Sequence, residues 1–322
     1  MTSRRRRIAL GVYGGLFVVY AILVGIPTDY TQIFLWLWVG AMCYNIGQPW
    51  RAHLGFLRDW GPILAALLAY NFSRGAASHL GFPLHVTEPI RFDSWVAGGG
   101  ELPTQWMQQR FYDPWHVHWY DVLASCVYFS HFLASLTVAW VLWIRNRERW
   151  RLFIRRFLTL TFAGLVTYVV YPMAPPWWAW EHGYTGTVVY RMSSRGFDVI
   201  GLNRAGHILE RGQAVANPVA AMPSLHTAMS TLIATFFIWQ LTSRWRWLLV
   251  LYPIAMGTTL VYTGEHYLLD ILAGFVYAAA VMTGVWYVER WREARKRAGD
   301  AASAESRVSL EKETLDKEIA VE

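Results

Sequence analysis

The sequence predicts an all-α polytopic membrane bundle of about eight spans with both termini in the cytoplasm. Two observations lead there. Apolar runs of about 20 residues recur along a chain that is 55% hydrophobic and holds 19 Trp and 17 Tyr, more than one soluble core of this size needs. The net charge of +7 comes largely from arginines clustered beside those runs. Because the clusters flank apolar spans, the basic balance points to a membrane surface and not to nucleic acid. The two cysteines, Cys43 and Cys126, fall inside apolar spans and are too few for a disulfide framework or a structural metal site.

The elements follow in order. Four arginines at positions 4 to 7 precede a first span from Ile8 to Ile26. No small-residue cleavage site follows it, so it is expected to stay as a helix and not to be removed as a signal peptide. Thr31 to Gly47 is a second span and Trp60 to Leu80 a third, with Arg51 and Arg58 between them. Residues 81–118 read as a long polar loop, in which Pro103 opens a short interfacial helix carrying Trp106, Arg110 and Phe111. Trp119 to Ile144 is a fourth span and Phe157 to Tyr171 a fifth, separated by a turn crowded with arginine. A second long loop covers 172–220. Three last spans lie at about 221–241, 245–263 and 267–288. The tail from Glu289 alternates Glu with Lys or Arg and is expected to be helix-prone at first and disordered later. The domain reading is thus 1–118 for the N-terminal spans and first loop, 119–290 for a catalytic bundle, and 291–322 for a charged cytoplasmic tail.

The excess of arginine in the turns at 48–59, 145–156 and 243–246 and in the tail places those segments in the cytoplasm. Loop 81–118 then lies outside. Loop 172–220 does too, although it carries Arg191, Arg195, Arg204 and Arg211.

The chemistry concentrates at 217–274. About 17 residues, or roughly 25 Å of helix, separate His226 from the basic turn at Ser243 and Arg244. The return to Tyr262 is about as long, so His226 and His266 come back to one membrane face. Asp270 follows His266 by one helical turn and can reach its imidazole. One histidine oriented by a carboxylate and facing another suits a nucleophile and an acid. The spacing by itself says only that the three groups can meet.

Pro223-Ser224-Leu225-His226 and His266-x-x-x-Asp270 resemble the motifs of the type 2 phosphatidic acid phosphatase superfamily. The PSLH form, together with Ala174-Pro175-Pro176-Trp177 and His266-Tyr267-x-x-Asp270, looks most like the inositol phosphorylceramide synthase branch, over roughly 160–285. The resemblance implies phosphoryl transfer through a phosphohistidine. His266 would attack phosphorus, Asp270 would fix its tautomer, and His226 would protonate the leaving alkoxide. Ser224 would hold phosphate or cap the following helix, and both roles fit. Gly274, two turns after His266, reads as a packing glycine.

The chain departs from the superfamily pattern where a cation is expected. Position 260, six residues before the nucleophile, is Leu, and the early Lys/Arg motif is replaced by the segment Tyr171 to Trp177. The phosphate charge must still be neutralised. Candidates are Arg191 and Arg195, with Arg204 and Arg211 in the same loop, or Arg74 beside Asn71 in the third span. Arg74 either faces a cavity or snorkels to the interface. His131, inside the fourth span, either lines the headgroup cavity or makes a helix contact. Asp113, His116, His118 and Asp121 are metal-ligand types without metal-site spacing, and the implied mechanism needs no metal and no cofactor.

The expected function is a lipid phosphotransferase of a bacterial cell membrane, acting on the extracytoplasmic side. It would move a phosphorylated headgroup, such as phosphoinositol, from a lipid phosphate ester to inositol or a lipid alcohol. A lipid or polyprenyl phosphate hydrolase shares the intermediate. A transporter or scaffold with inactive histidines is the reading from another class, and no internal repeat supports it. The missing arginines and the membrane spans argue against a vanadium haloperoxidase.

Overall fold

The computed structural model describes residues 2–27, 29–77, 80–200 and 217–319. Among them the regular elements are helices, and extended chain contributes only isolated bridges. The helices are α1 Thr2–Leu23, α2 Tyr30–Tyr44, α3 Trp50–Ala77, α4 Thr87–Val96, α5 Pro103–Phe111, α6 Trp119–Arg145, α7 Arg147–Val170, α8 Pro176–Glu181, α9 Leu225–Gln240, α10 Leu251–Tyr262 and α11 Leu268–Ile319. Each of the eight predicted spans thus contains a helix among the described residues. Among the described residues, four helices are long and apolar enough to cross a membrane: Arg4–Leu23, Trp119–Arg145, Arg147–Val170 and Leu268–Ala301. α2, α9 and α10 have 15, 16 and 12 residues, about 18 to 24 Å of rise, which is short for a full crossing.

Local chemistry sets the helix ends. Asp29 caps α2 by accepting from the amides of Thr31 and Gln32, and Asn146 caps α7 by accepting from Arg149. With that cap, α7 starts at Arg147, ten residues before the predicted span, because the arginines that crowd the turn are good helix formers. α5 begins at Pro103 as expected. α4 was not expected. Its signal is Glu88 and Pro89 in the first turn, inside a loop that otherwise reads as polar. The span expected at 245–263 opens instead with a 3₁₀ segment, Arg244–Val250, before α10.

The chain divides into two compact units, Met1–Ala279 and Ala280–Glu322. The segment 1–118 belongs to the same unit as residues 119–279, so residue 118 marks no break in packing. Trp60 of α3 stacks on Phe56, and these two meet Phe34 of α2, Trp143 of α6 and Trp150 of α7. Below that cluster, Asp59 pairs with Arg58 and Arg147 and accepts from the Trp143 indole. In the second unit, the charged segment from Glu289 continues as helix to Ile319, and residues 305–319 are described by backbone alone. Alanines and an Glu293–Arg297 pair one turn apart favour that state.

Within the first unit three extended segments lie side by side. The His85 amide donates to Pro172, and Ala174 donates back to His85. Met173 donates to Val219, and Ala221 donates to Met173. These bonds tie the loop after α3, the loop after α7 and the segment before α9 over one cavity.

Candidate active site

The site grows from the turn between α10 and α11. α10 stops because Gly264 takes φ +76°, a left-handed conformation that suits glycine. A Cβ there would also lie 2.6 Å from the Tyr190 carbonyl, so the passing loop needs the space. The amides of Glu265 and His266 then both turn back to the Leu260 carbonyl, at 3.0 and 3.3 Å. α11 starts two residues later, and its first turn carries Asp270.

His266 Nδ1 lies 3.0 Å from Asp270 Oδ2, which also accepts from the Tyr267 amide at 3.1 Å. Asp270 is fully buried and His266 nearly so. With Nδ1–H given to the carboxylate, Nε2 is the ring nitrogen left for the cavity. The ring of His226, in the first turn of α9, has its centroid 5.6 Å from that of His266. It stacks on Tyr128 at 4.8 Å and lies tilted against His131 at 4.1 Å, both from α6. His226 Nε2 and His131 Nδ1 are buried without a hydrogen-bond partner among the described residues. Unpartnered buried polar atoms are costly, and a ligand's oxygens can satisfy them.

One cavity of about 290 Å³ joins these groups. Arg74, Asn71, His131, His226, His266 and Arg191 all line it, so six of the nine predicted site residues converge. Asp270 lies behind His266. Ser224 does not line the cavity. It is fully buried, caps α9 by accepting from the Thr227 amide, and gives its own amide to the Asp270 carbonyl at 3.0 Å. Gly274 packs against this cap: a Cβ there would stand 2.7 Å from the Ser224 carbonyl. α9, which carries His226, and α11, which follows His266, are thereby pressed together.

Arg195 sits elsewhere. It donates to the carbonyls of Asp113 and His116 and lies over the Tyr112 ring. The charge that made it a candidate is spent on loop structure. Asp113, with His116 and His118 around its carboxylate, is part of that same exposed cluster. Arg204 and Arg211 fall outside the described residues.

Sequence reasoning missed two acids. Glu265 lines the cavity and is chelated by Arg191 and Ser193. Burial works against the charge of Arg191, but Glu265 outweighs it and holds the guanidinium pKa above its ordinary value. Asp93, from α4, is fully buried and accepts from the amides of Leu268 and Leu269, at 3.0 and 3.3 Å, where α11 begins. Burial pushes its carboxyl up to about 7; the two amide bonds oppose this and the nearby Asp270 charge adds to it. The only signal for Glu265 was an acid directly before His266. Asp93 gave none, being 175 residues away from its partner.

A sequence model of the PAP2 superfamily matches residues 90–284. The chain is 26% identical over 168 residues to the phosphoinositol dihydroceramide synthase of Bacteroides thetaiotaomicron, covering 49% of this chain and 53% of that one. It thus spans about half the length of the curated relative it matches. No solved structure matches it. With 195 of 322 residues inside the match, including both histidines and Asp270, the chain belongs to the PAP2 superfamily.

Proposed function

We propose that this protein is an integral membrane enzyme acting on lipid phosphate esters, and that it transfers a phosphoryl group or a phosphorylated headgroup through a phosphohistidine. The observation that carries the reading is the convergence of an Asp-oriented histidine, a second histidine and two arginines on one cavity. His266 Nε2 attacks phosphorus, and Asp270 stabilises the imidazolium that forms. His226 gives a proton to the departing alkoxide and then takes one from the incoming hydroxyl. Arg74 and Arg191 neutralise the equatorial oxygens.

The acceptor decides the class. The named relative favours transfer of phosphoinositol to a lipid alcohol, and the buried His266 beside a half-buried His226 suits a site that limits water. Hydrolysis of a lipid or polyprenyl phosphate is the second reading, supported by the family match. In this proposal eight spans cross the membrane, both termini are cytoplasmic, and the cavity opens on the extracytoplasmic side of a bacterial cell membrane, as the arginine pattern favours.

The test is incubation of purified protein with labelled phospholipids and polyprenyl phosphates, with and without inositol or a lipid alcohol. A new lipid product is expected. Free phosphate alone would favour the hydrolase. His266→Ala should abolish turnover and any acid-labile phosphoenzyme, and near-normal turnover in that variant would end the reading.

A further inference from the structure

We infer that Glu265 is a positioning residue, which holds Arg191 against the cavity as the cation that position 260 lacks. The inference rests on the phosphoryl-transfer reading above.

Position 260 could not serve. Leu260 is fully buried in an apolar cluster with Tyr128, Phe129, Phe197 and Met256, so a charged side chain there would enter the core. The charge must come from another segment, and the backbone brings one. The Met192 amide donates to the Thr263 carbonyl at 3.1 Å, and Tyr190 passes over Gly264. That register sets Arg191 beside Glu265. Gln108 of α5 locks it by donating to the carbonyls of Tyr190 and Tyr262 and accepting from the Tyr190 amide.

Arg191 then meets Glu265 in two-point geometry: Nε to Oε1 at 2.9 Å and Nη2 to Oε2 at 3.3 Å. Ser193 Oγ donates to Oε1 at 2.7 Å, and the guanidinium lies 4.6 Å from the Trp177 ring centroid. A bidentate pair on an aromatic face fixes a planar side chain far better than one contact does. Among the described residues its hydrogen bonds run through Nε and Nη2, which leaves Nη1 to a ligand. A bare carboxylate in a phosphate cavity would repel substrate. Here three donors saturate it, so its use is to aim the guanidinium and not to act as a base. Because Glu265 directly precedes His266, one turn sets both the nucleophile and the cation.

The experiment compares Glu265→Gln, Glu265→Asp, Arg191→Gln and the Glu265→Gln/Arg191→Gln double variant, as full-length protein in detergent with a labelled phospholipid. Inhibition by inorganic phosphate probes the cation directly. Glu265→Gln should lower kcat/KM by about 10²-fold, the scale of a small misplacement, and weaken phosphate inhibition. Glu265→Asp should recover part of the loss. The double variant should be no worse than Arg191→Gln, because Glu265 acts only through Arg191. Multiplied losses, or full activity in Glu265→Gln, would overturn the inference. Should Glu265→Gln fail to fold, Ser193→Ala replaces it: a smaller loss that vanishes in the Arg191→Gln background is expected, and a loss that persists there overturns the inference. Retained turnover in His266→Ala would instead defeat the underlying reading.

Discussion

Histidine is suited to this site because its neutral ring is both a nucleophile and, once protonated, an acid near neutral pH. The order of the residues already allowed His226, His266 and Asp270 to meet, since a carboxylate four residues on lies one turn away. The sequence left the cation open. Arg74 is charged in an apolar segment, and such a charge is tolerated where it meets a cavity or partners. It lines the same cavity as both histidines, and the Asn217 side chain holds its carbonyl at 3.2 Å. Arg74→Lys should lower activity, because a point charge replaces a planar fork, and Arg74→Gln should lower it further. Both variants should remain folded. Kinetics of the three proteins at matched expression check this, and full activity in Arg74→Gln would leave Arg191 as the working cation.

At the scale of elements, the first turn of α11 is the part on which the site depends. Three groups hold it: Asp93 on the amides of Leu268 and Leu269, Ser224 on the Asp270 carbonyl, and the bare face of Gly274 against α9. Asp93 has a pH signature. Its folded pKa, about 7, lies above the ordinary 3.8, so between those values the folded protein keeps a proton that the unfolded chain releases. More protons on the folded state mean that this group's contribution to stability falls as pH rises from about 4 to 7, and is lowest above that window. Asp93→Asn removes the titration. The thermal midpoint in detergent should therefore drop less between pH 5 and pH 8 in Asp93→Asn than in the parent protein. Equal pH dependence in the two proteins would show that Asp93 does not titrate in this way.

For the whole molecule, the proposed orientation predicts that a cysteine placed at position 186 reacts with an impermeant thiol reagent in intact cells and one at position 148 does not; the reverse pattern would invert the topology. Much of the fold was legible in the chain. Apolar run length and arginine clusters determine where helices form, since both reflect the cost of putting backbone and charge into hydrocarbon. The pair of motifs picks out the proposed reacting triad, because a four-residue spacing brings a carboxylate one turn from an imidazole. Loop-borne partners were not legible. Arg191 and Arg195 are four residues apart in one loop with the same charge, yet one reaches Glu265 in the cavity and the other is held by backbone carbonyls outside it. Glu265 and Asp93 gain their roles from residues 74 and 175 positions away. Such pairings depend on how separate segments pack, and no local periodicity encodes them. The sequence by itself determined the long apolar helices and let His226, His266 and Asp270 meet; the tertiary structure alone decided which charges line the cavity and which acids support it.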